Sequence, residues 1–324
     1  MIDVIPDIHG QAATLEAALR ALGYSERGAV WRHGERGRTA LFLGDLVDGG
    51  PEQDRTLSIV RGMVEAGSAL CLMGNHELNA IHFHSFGADD LPLRPHTRKN
   101  VEQHKAFLRA FPLGSDEARE AIAWMETLPL AIETDGLRAA HACWSEHDVD
   151  VLRRVGTVRG TDGGLAIHLD REALHAAADA SSEIGRAVET ALKGPEVELP
   201  AGASFTDKSG HRRSALRLAW WREGARTYRE AAISVPPDQV ASISNDPLPP
   251  GASAAIYPPT APPVVFGHYW LDPEAEPTLQ APNALCLDHS AGKGGPLVTY
   301  AHEPGKPLDP ARIRRHATAV EARP

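Results

Sequence analysis

Within its first 77 residues the chain three times leaves an apolar, strand-like run on a short Gly-containing turn that carries metal-ligand side chains. Val4-Ile5-Pro6 runs into Asp7-Ile8-His9-Gly10, and Ala40-Leu41-Phe42-Leu43 into Gly44-Asp45-Leu46-Val47-Asp48. Ala69–Met73 then leads to Gly74-Asn75-His76-Glu77. Carboxylate, imidazole and amide oxygen are the donors that hard-to-borderline divalent ions take. Such clusters meet only if the strands end at one edge of a sheet. Between them, Leu15, Ala18, Leu19 and Leu22 repeat at helical spacing over Thr14–Leu22, with Gly23 as a stop, and a second helix is expected from Glu52 to Glu65. Strand, helix, strand, helix, strand predicts an α/β chain with parallel strands and right-handed connections.

Beyond the third cluster comes a polar, His- and Arg-rich stretch, His82–Lys99, and then two expected helices, Val101–Phe111 and Asp116–Leu128. Asp135-Gly136 between two apolar runs predicts a hairpin whose second strand ends on His141. From Trp144 to Pro262 the pattern changes. Helical stretches at Arg171–Ala178 and Ser182–Lys193 are followed by Trp220-Trp221, and nine of the 25 prolines then fall between Pro236 and Pro263. We read the chain as one domain, with a core of about 1–143 and 264–302 and an insertion of about 144–263 that includes a Pro-rich loop at 236–263. Strand character resumes at Val264-Val265-Phe266, which ends on Gly267-His268, and continues at Ala284–Leu287 and Pro296–Tyr300.

The 324 residues suffice for a full core, and the net charge of −10 argues against general nucleic-acid binding while allowing a small basic pocket for one phosphate. Three cysteines form no closed disulfide set and no C-x-x-C pair; Cys71 and Cys286 read as buried core thiols. The chain opens directly on a strand, and no apolar run approaches a membrane span. The expectation is a soluble, cytoplasmic enzyme without membrane contact.

A pair of metal ions needs one carboxylate able to bridge, and Asp45, at the middle strand end, is placed for it. Asp7 and His9 would complete the shell of one ion; Asn75, His141 and His268 would serve the other. A hydroxide shared by two such ions attacks phosphorus in line. His76, next to a ligand but free to stand over the site, would donate a proton to the leaving oxygen, oriented and kept cationic by Asp48.

In this order the clusters resemble the motifs of the metallophosphoesterase (calcineurin-like) superfamily, in its branch of phosphoprotein phosphatases and bacterial diadenosine tetraphosphatases. The motifs GDxHG, GDxVDRG and GNHE are matched at Pro6–Gly10, Gly44–Gly50 and Gly74–Glu77, and HGG and the late His at His141-Ala142-Cys143 and Gly267-His268. Leu285–Asp288 and Gly294-Gly295-Pro296-Leu297 are similar to the LDTG…GG-L-T strand pair of that branch. The resemblance covers about 1–141 and 264–300. It implies a central β-sandwich of mixed sheets flanked by helices, with helical insertions. Two departures stand out: Gly49 replaces the arginine that helps hold phosphate, and the turn after His141 lacks its glycines. Arg94, Arg98 and Lys99 are candidates to supply the missing charge, with Arg212 and Arg213 as further ones.

The resulting expectation is a phosphomonoesterase similar to serine/threonine protein phosphatases, acting on a phosphoprotein, nucleotide or small phosphoester. It would use two divalent ions, manganese first, with iron, zinc, nickel or cobalt as alternatives. The alternatives are a phosphoanhydride hydrolase of the dinucleoside tetraphosphatase type, a phosphodiesterase, and an idle phosphate- or nucleotide-binding module. Loss of a ligand or of His76 would favour the last, and none is missing. Of the other polar residues, His82, His84 and His96 read as loop residues or supports of the ligands, and His33, His104, His175 and His316 as solvated. Cys143 reads as neutral packing, and Trp220-Trp221 as a contact between insertion and core. Ala291-Gly292-Lys293-Gly294 has the outline of a phosphate loop but lacks the upstream glycine and following Ser/Thr of a Walker motif.

Overall fold

The fold was read from a computed structural model, which describes residues 1–161, 164–207, 210–252 and 257–318. Two mixed sheets face each other. The first runs β11-β10-β1-β2-β3, with β1 (Ile2–Ile5), β2 (Thr39–Phe42), β3 (Ala69–Cys71), β10 (Leu297–His302) and β11 (Ile313–His316). β1, β2 and β3 are parallel, and β10 is antiparallel to both β1 and β11. The second runs β9-β8-β5-β4-β7-β6, with β4 (Ala131–Thr134), β5 (Leu137–Ala140), β6 (Thr157–Thr161), β7 (Gly164–His168), β8 (Val264–Phe266) and β9 (Ala284–Cys286). β5, β8 and β9 run parallel, whereas the pairings among β4 to β7 are antiparallel.

Period-two alternation sorts each strand's side chains between two cores. Ile2, Val4, Leu41 and Tyr300 meet Ile132, Ala139, Val265 and Leu285 in the cluster between the sheets. Their neighbours Ile5 and Phe42 join the outer core with Leu15 and Leu19 of α1 (Ala12–Leu22) and Val60 and Met63 of α2 (Gln53–Glu65). On the far side Ala140, Phe266 and Ala284 belong to the same outer core as Val188 and Leu192 of the helix Glu183–Lys193. The expected mixed sandwich between helical layers is therefore the observed architecture, and its central strands are hydrophobic on both faces because both are covered.

Local expectations hold where turn chemistry is explicit. Gly23 caps α1 with φ +95 and closes its last carbonyls. Asp135 and Gly136 take φ +50 and +75, the two left-handed positions of a type I′ hairpin. The stretch after the third cluster differs from expectation: residue 75 begins a helix, α3 (Asn75–His84), which takes in His82 and His84. α4 (Arg98–Ala110) and α5 (Asp116–Met125) follow.

The insertion boundary also shifts. β6 and β7 lie within the stretch expected as insertion, yet they extend the second sheet from β4, because the exposed edge of that hairpin accepts a further antiparallel pair. What lies apart from the sandwich is a small three-stranded sheet of Glu196–Glu198, Ala215–Leu218 and Ala232–Ile233, with its own core of Leu199, Phe205, Leu216, Tyr228 and Ile243. Trp220 and Trp221 anchor it, packing on Phe266, with the Trp220 indole donating to Ala142 O at 3.0 Å. Residues 253–256 of the expected Pro-rich loop lie outside the described residues. No helix among the described residues is long and apolar enough to cross a membrane.

Candidate metal centre

The parallel strands β1, β2 and β3 of one sheet and β5 and β8 of the other deliver Asp7, Asp45, Asn75, His141 and His268 from their C-terminal ends. The turns are held by a scaffold of backbone bonds. The amides of Ile8 and His9 donate to Asp45 O at 3.0 and 2.9 Å. The buried Glu77 carboxylate accepts from the amides of Gly74, Asp45 and Leu46 at 2.8, 2.8 and 2.9 Å, tying the start of α3 to the turn after β2. Burial and the nearby Asp45 charge push the Glu77 carboxyl up to about 7, while these amides favour its anion.

Two groups of donors converge, His9–Asp45–His76 and Asp45–His141–His268. His141 Nδ1 donates to Leu43 O at 2.8 Å, which leaves Nε2 as the atom that faces the site. That atom lies 3.1 Å from Asn75 Oδ1 and 3.5 Å from Asp45 Oδ2, and His268 Nδ1 lies 2.7 Å from the same Asn75 oxygen. His9 Nδ1 donates to Val47 O at 3.0 Å, leaving a buried Nε2 without a hydrogen-bond partner, 3.7 Å from Asp45 Oδ2. Asp7 accepts from the His268 amide at 3.2 and 3.3 Å. Nitrogen and oxygen atoms converging at these spacings match the ~3 Å edges of a coordination shell with bonds of about 2.1 Å. The donor set thus fits divalent ions, with Asp45 common to both groups.

The electrostatics agree. Burial, followed by the charges of Asp288 and Asp45, holds Asp7 well above the usual carboxyl range. Asp45 lies well below it, because His141 and His76 overcome the cost of its burial. The Asp45 charge likewise outweighs burial at His141 and pushes it up to about 10; a site that holds a proton this firmly favours any cation that replaces it. Burial, with Arg217 and His141 nearby, keeps His268 well below its ordinary value and so neutral.

His76 stands at the mouth with 13% of its side chain exposed. Its Nδ1 lies 2.6 Å from Asp48 Oδ2, and its Nε2 is turned inward, 3.9 Å from Asp45 Oδ2. Burial opposes the charged ring, yet Asp45 and the Asp48 bond push it up to about 9. The other Asp48 oxygen accepts from His104 Nδ1 at 2.8 Å, and these two bonds hold Asp48 down at about 2 against its burial. His104, expected to be solvated, is buried, because α4 turns its inner face onto α3. His84 Nε2 lies 3.2 Å from His104 Nε2.

The candidate cations are dispersed. Arg94 bonds Gln103 and Asn100 at 2.8 and 3.3 Å, near enough to Asp48 to feel its charge, whereas Arg98 and Lys99 are exposed at the start of α4. Arg212 and Arg213 lie exposed on a ribbon paired with Phe205–Thr206, bonding Ser204 and Asp207. Sequence reading missed Arg217, whose charge reaches His268, and it set aside the loop around Gly292, which lies against His9. His82 and His96 donate to Leu174 O and Phe83 O, and all three cysteines are buried and free.

A family model described as calcineurin-like phosphoesterase matches residues 1–162, half of the chain and the segment that supplies Asp7, His9, Asp45, Asn75, His76 and His141. The chain belongs to this family. As a calcineurin-like phosphoesterase it shares the metallophosphoesterase sandwich, and membership implies a dinuclear divalent metal centre. Among curated proteins, bis(5'-nucleosyl)-tetraphosphatase PrpE (asymmetrical) of Bacillus subtilis strain 168 is 39% identical over 74 residues, 23% of this chain and 30% of that protein. The protein of the same name from Geobacillus sp. strain WCH70 is 28% identical over 171 residues, 49% of this chain and 66% of that one. The chain therefore spans less than two thirds of the length of these relatives. Among solved structures, the cold-active protein-tyrosine phosphatase of a psychrophilic Shewanella species is 15% identical, covering 93% of this chain and 75% of that one, with a TM-score of 0.49.

Proposed function

We propose that this chain hydrolyses phosphoric monoesters, in the manner of serine/threonine protein phosphatases. Asp7, His9 and Asp45 would hold one divalent ion and Asp45, Asn75, His141 and His268 the other. Bound there, the ions supply an activated water and polarise the phosphoryl oxygens. The observation that carries the reading is the bond of 2.6 Å between His76 and Asp48, which keeps the ring cationic and its Nε2 turned toward the bridging carboxylate. His76 then delivers its proton to the ester oxygen as the P–O bond breaks, and Asp48 stabilises and orients the ring while it is charged. Arg94, bonded to Asn100 and Gln103 and near enough to Asp48 to feel its charge, is the expected cation we assign to the substrate. Manganese is the ion we propose, because the donors are all nitrogen and oxygen and no thiolate enters either group.

A second reading, cleavage of the phosphoanhydride of a dinucleoside tetraphosphate, is favoured by the activity for which the Bacillus and Geobacillus relatives are named. Manganese-loaded protein offered a phosphopeptide, an aryl phosphate monoester, an aryl diester and diadenosine tetraphosphate separates the two. We expect the monoesters to be turned over fastest. Preference for the tetraphosphate would replace the first reading with the second, and hydrolysis of none would overturn both.

A further inference from the structure

We propose that Lys293, seated on Trp270, is the cation that grips the substrate's phosphate on the His9 side of the metal centre. The proposal deepens the hydrolase reading by naming a binding residue for the same site. Gly49 carries no side chain and takes φ +76, and a Cβ placed there would lie 3.3 Å from His9 Cβ and 3.7 Å from Gly292 O. The turn Ala291–Lys293 thus runs directly beside Gly49, and with no side chain at that position the room next to His9 is left to this turn. Gly292 is in closer contact still: a Cβ there would come 2.5 Å from His9 Cδ2, so this backbone packs on the ligand ring itself.

Lys293 follows immediately and is exposed, with no ion-pair partner among the described residues. Its ammonium lies 4.1 Å from the centroid of the Trp270 ring, a cation–π contact. The Trp270 ring stacks on His9 at 5.1 Å, and His9 lies 4.8 Å from His76. Ammonium, indole and metal-ligand imidazole therefore form one continuous array that ends at the general acid. An unpaired ammonium so placed presents its hydrogen-bond donors to an oxyanion at the mouth.

The array is braced. The buried Asp288 carboxylate accepts from the Trp270 amide at 2.7 Å and from the Ser290 amide at 2.9 Å, locking the indole segment to the lysine turn. Ser290 Oγ donates to Leu271 O at 2.9 Å across the same junction. Trp270 takes φ +50 and Ser290 φ +66, a strained backbone on both sides of the bracket. Such strain persists because the bracket over-determines it, and its effect is to aim the lysine.

The test measures binding of inorganic phosphate to the manganese-loaded full chain by calorimetry, alongside kcat and KM on an aryl phosphate monoester. Lys293→Gln is expected to weaken phosphate on the order of tenfold and raise KM in parallel, with two ions still bound. Lys293→Arg should recover most of the loss, and Trp270→Leu should reproduce part of it with the lysine still present. Lys306→Gln, an exposed lysine elsewhere, serves as the reference. If Lys293→Gln binds phosphate within twofold of the parent chain, the proposal is overturned while the hydrolase reading stands. If the parent turns over no phosphate ester yet Lys293→Gln still weakens phosphate, the hydrolase reading fails and the grip remains.

Discussion

At the scale of single residues, the centre separates holding metal from delivering a proton, and two substitutions tell these apart. Asp45 is common to both donor groups, so Asp45→Asn should remove turnover and metal together. His76 reaches the site through Asp48, and His76→Asn should keep both ions. Its kcat on an alkyl phosphate is expected to fall about a hundredfold, with a much smaller fall on an aryl phosphate whose leaving group needs little protonation. Metal analysis beside the two rates checks this. Loss of ions from His76→Asn, or equal loss on both leaving groups, would sink the assignment. These residues were legible because each sits on a Gly-containing turn after an apolar run, a signal local in the chain. His104 and Arg217 were not legible: His104 reaches Asp48 only because α4 packs on α3, and Arg217 reaches His268 through a strand far away in sequence.

At the scale of elements, α3 is the joint of the site, and sequence reading lost its start because the residues that begin it are the same ones that carry the chemistry. Glu77 joins the turn after β2 to this helix, so Glu77→Gln leaves at least one buried amide facing an amide. We expect a cost of about 3 kcal/mol and weaker metal binding, read as a lower Tm and a lower ion content. A normal Tm would show that the bracket is dispensable. The contact between α3 and α4 carries a pH dependence. Burial, with His104 and His96 nearby, pushes His84 down to about 4. The unfolded chain takes up this proton near pH 6.5, so the contribution of neutral His84 is complete above that value and is lost as pH falls toward 4. Below about 4 the folded chain is protonated too and the loss stops. Thermal unfolding of His84→Gln between pH 7 and 4 should therefore show a shallower decline than the parent chain; parallel curves would refute it.

At the scale of the whole molecule, apolar runs and the Asp-Gly turn forecast single strands and one hairpin because both act over a few residues, whereas the mixed sandwich was expected only from the family resemblance. The reach of the second sheet was hidden, since β6 and β7 carry exposed positions and join only by pairing with β4. The meeting of five strand ends is a long-range event, and its energetic consequence belongs to the entire fold. Asp7, Asp45 and Asp288 are buried close enough for their charges to act on Asp7, while His9 keeps a buried ring nitrogen without a hydrogen-bond partner. Folding brings these groups together at a cost that the unfolded chain does not bear, and divalent ions bound only by the folded state offset it. With manganese at a hundred times its dissociation constant, one such ion adds about 2.7 kcal/mol. Tm should therefore climb with manganese concentration and fall on chelation, and Asp45→Asn should flatten the climb and also lower the metal-free Tm, because the Asp45 charge is what offsets the burial of the His141 and His76 rings. A parent chain whose Tm ignores manganese, or an Asp45→Asn variant that follows it as the parent does, would show that the converging strand ends do not form the binding site.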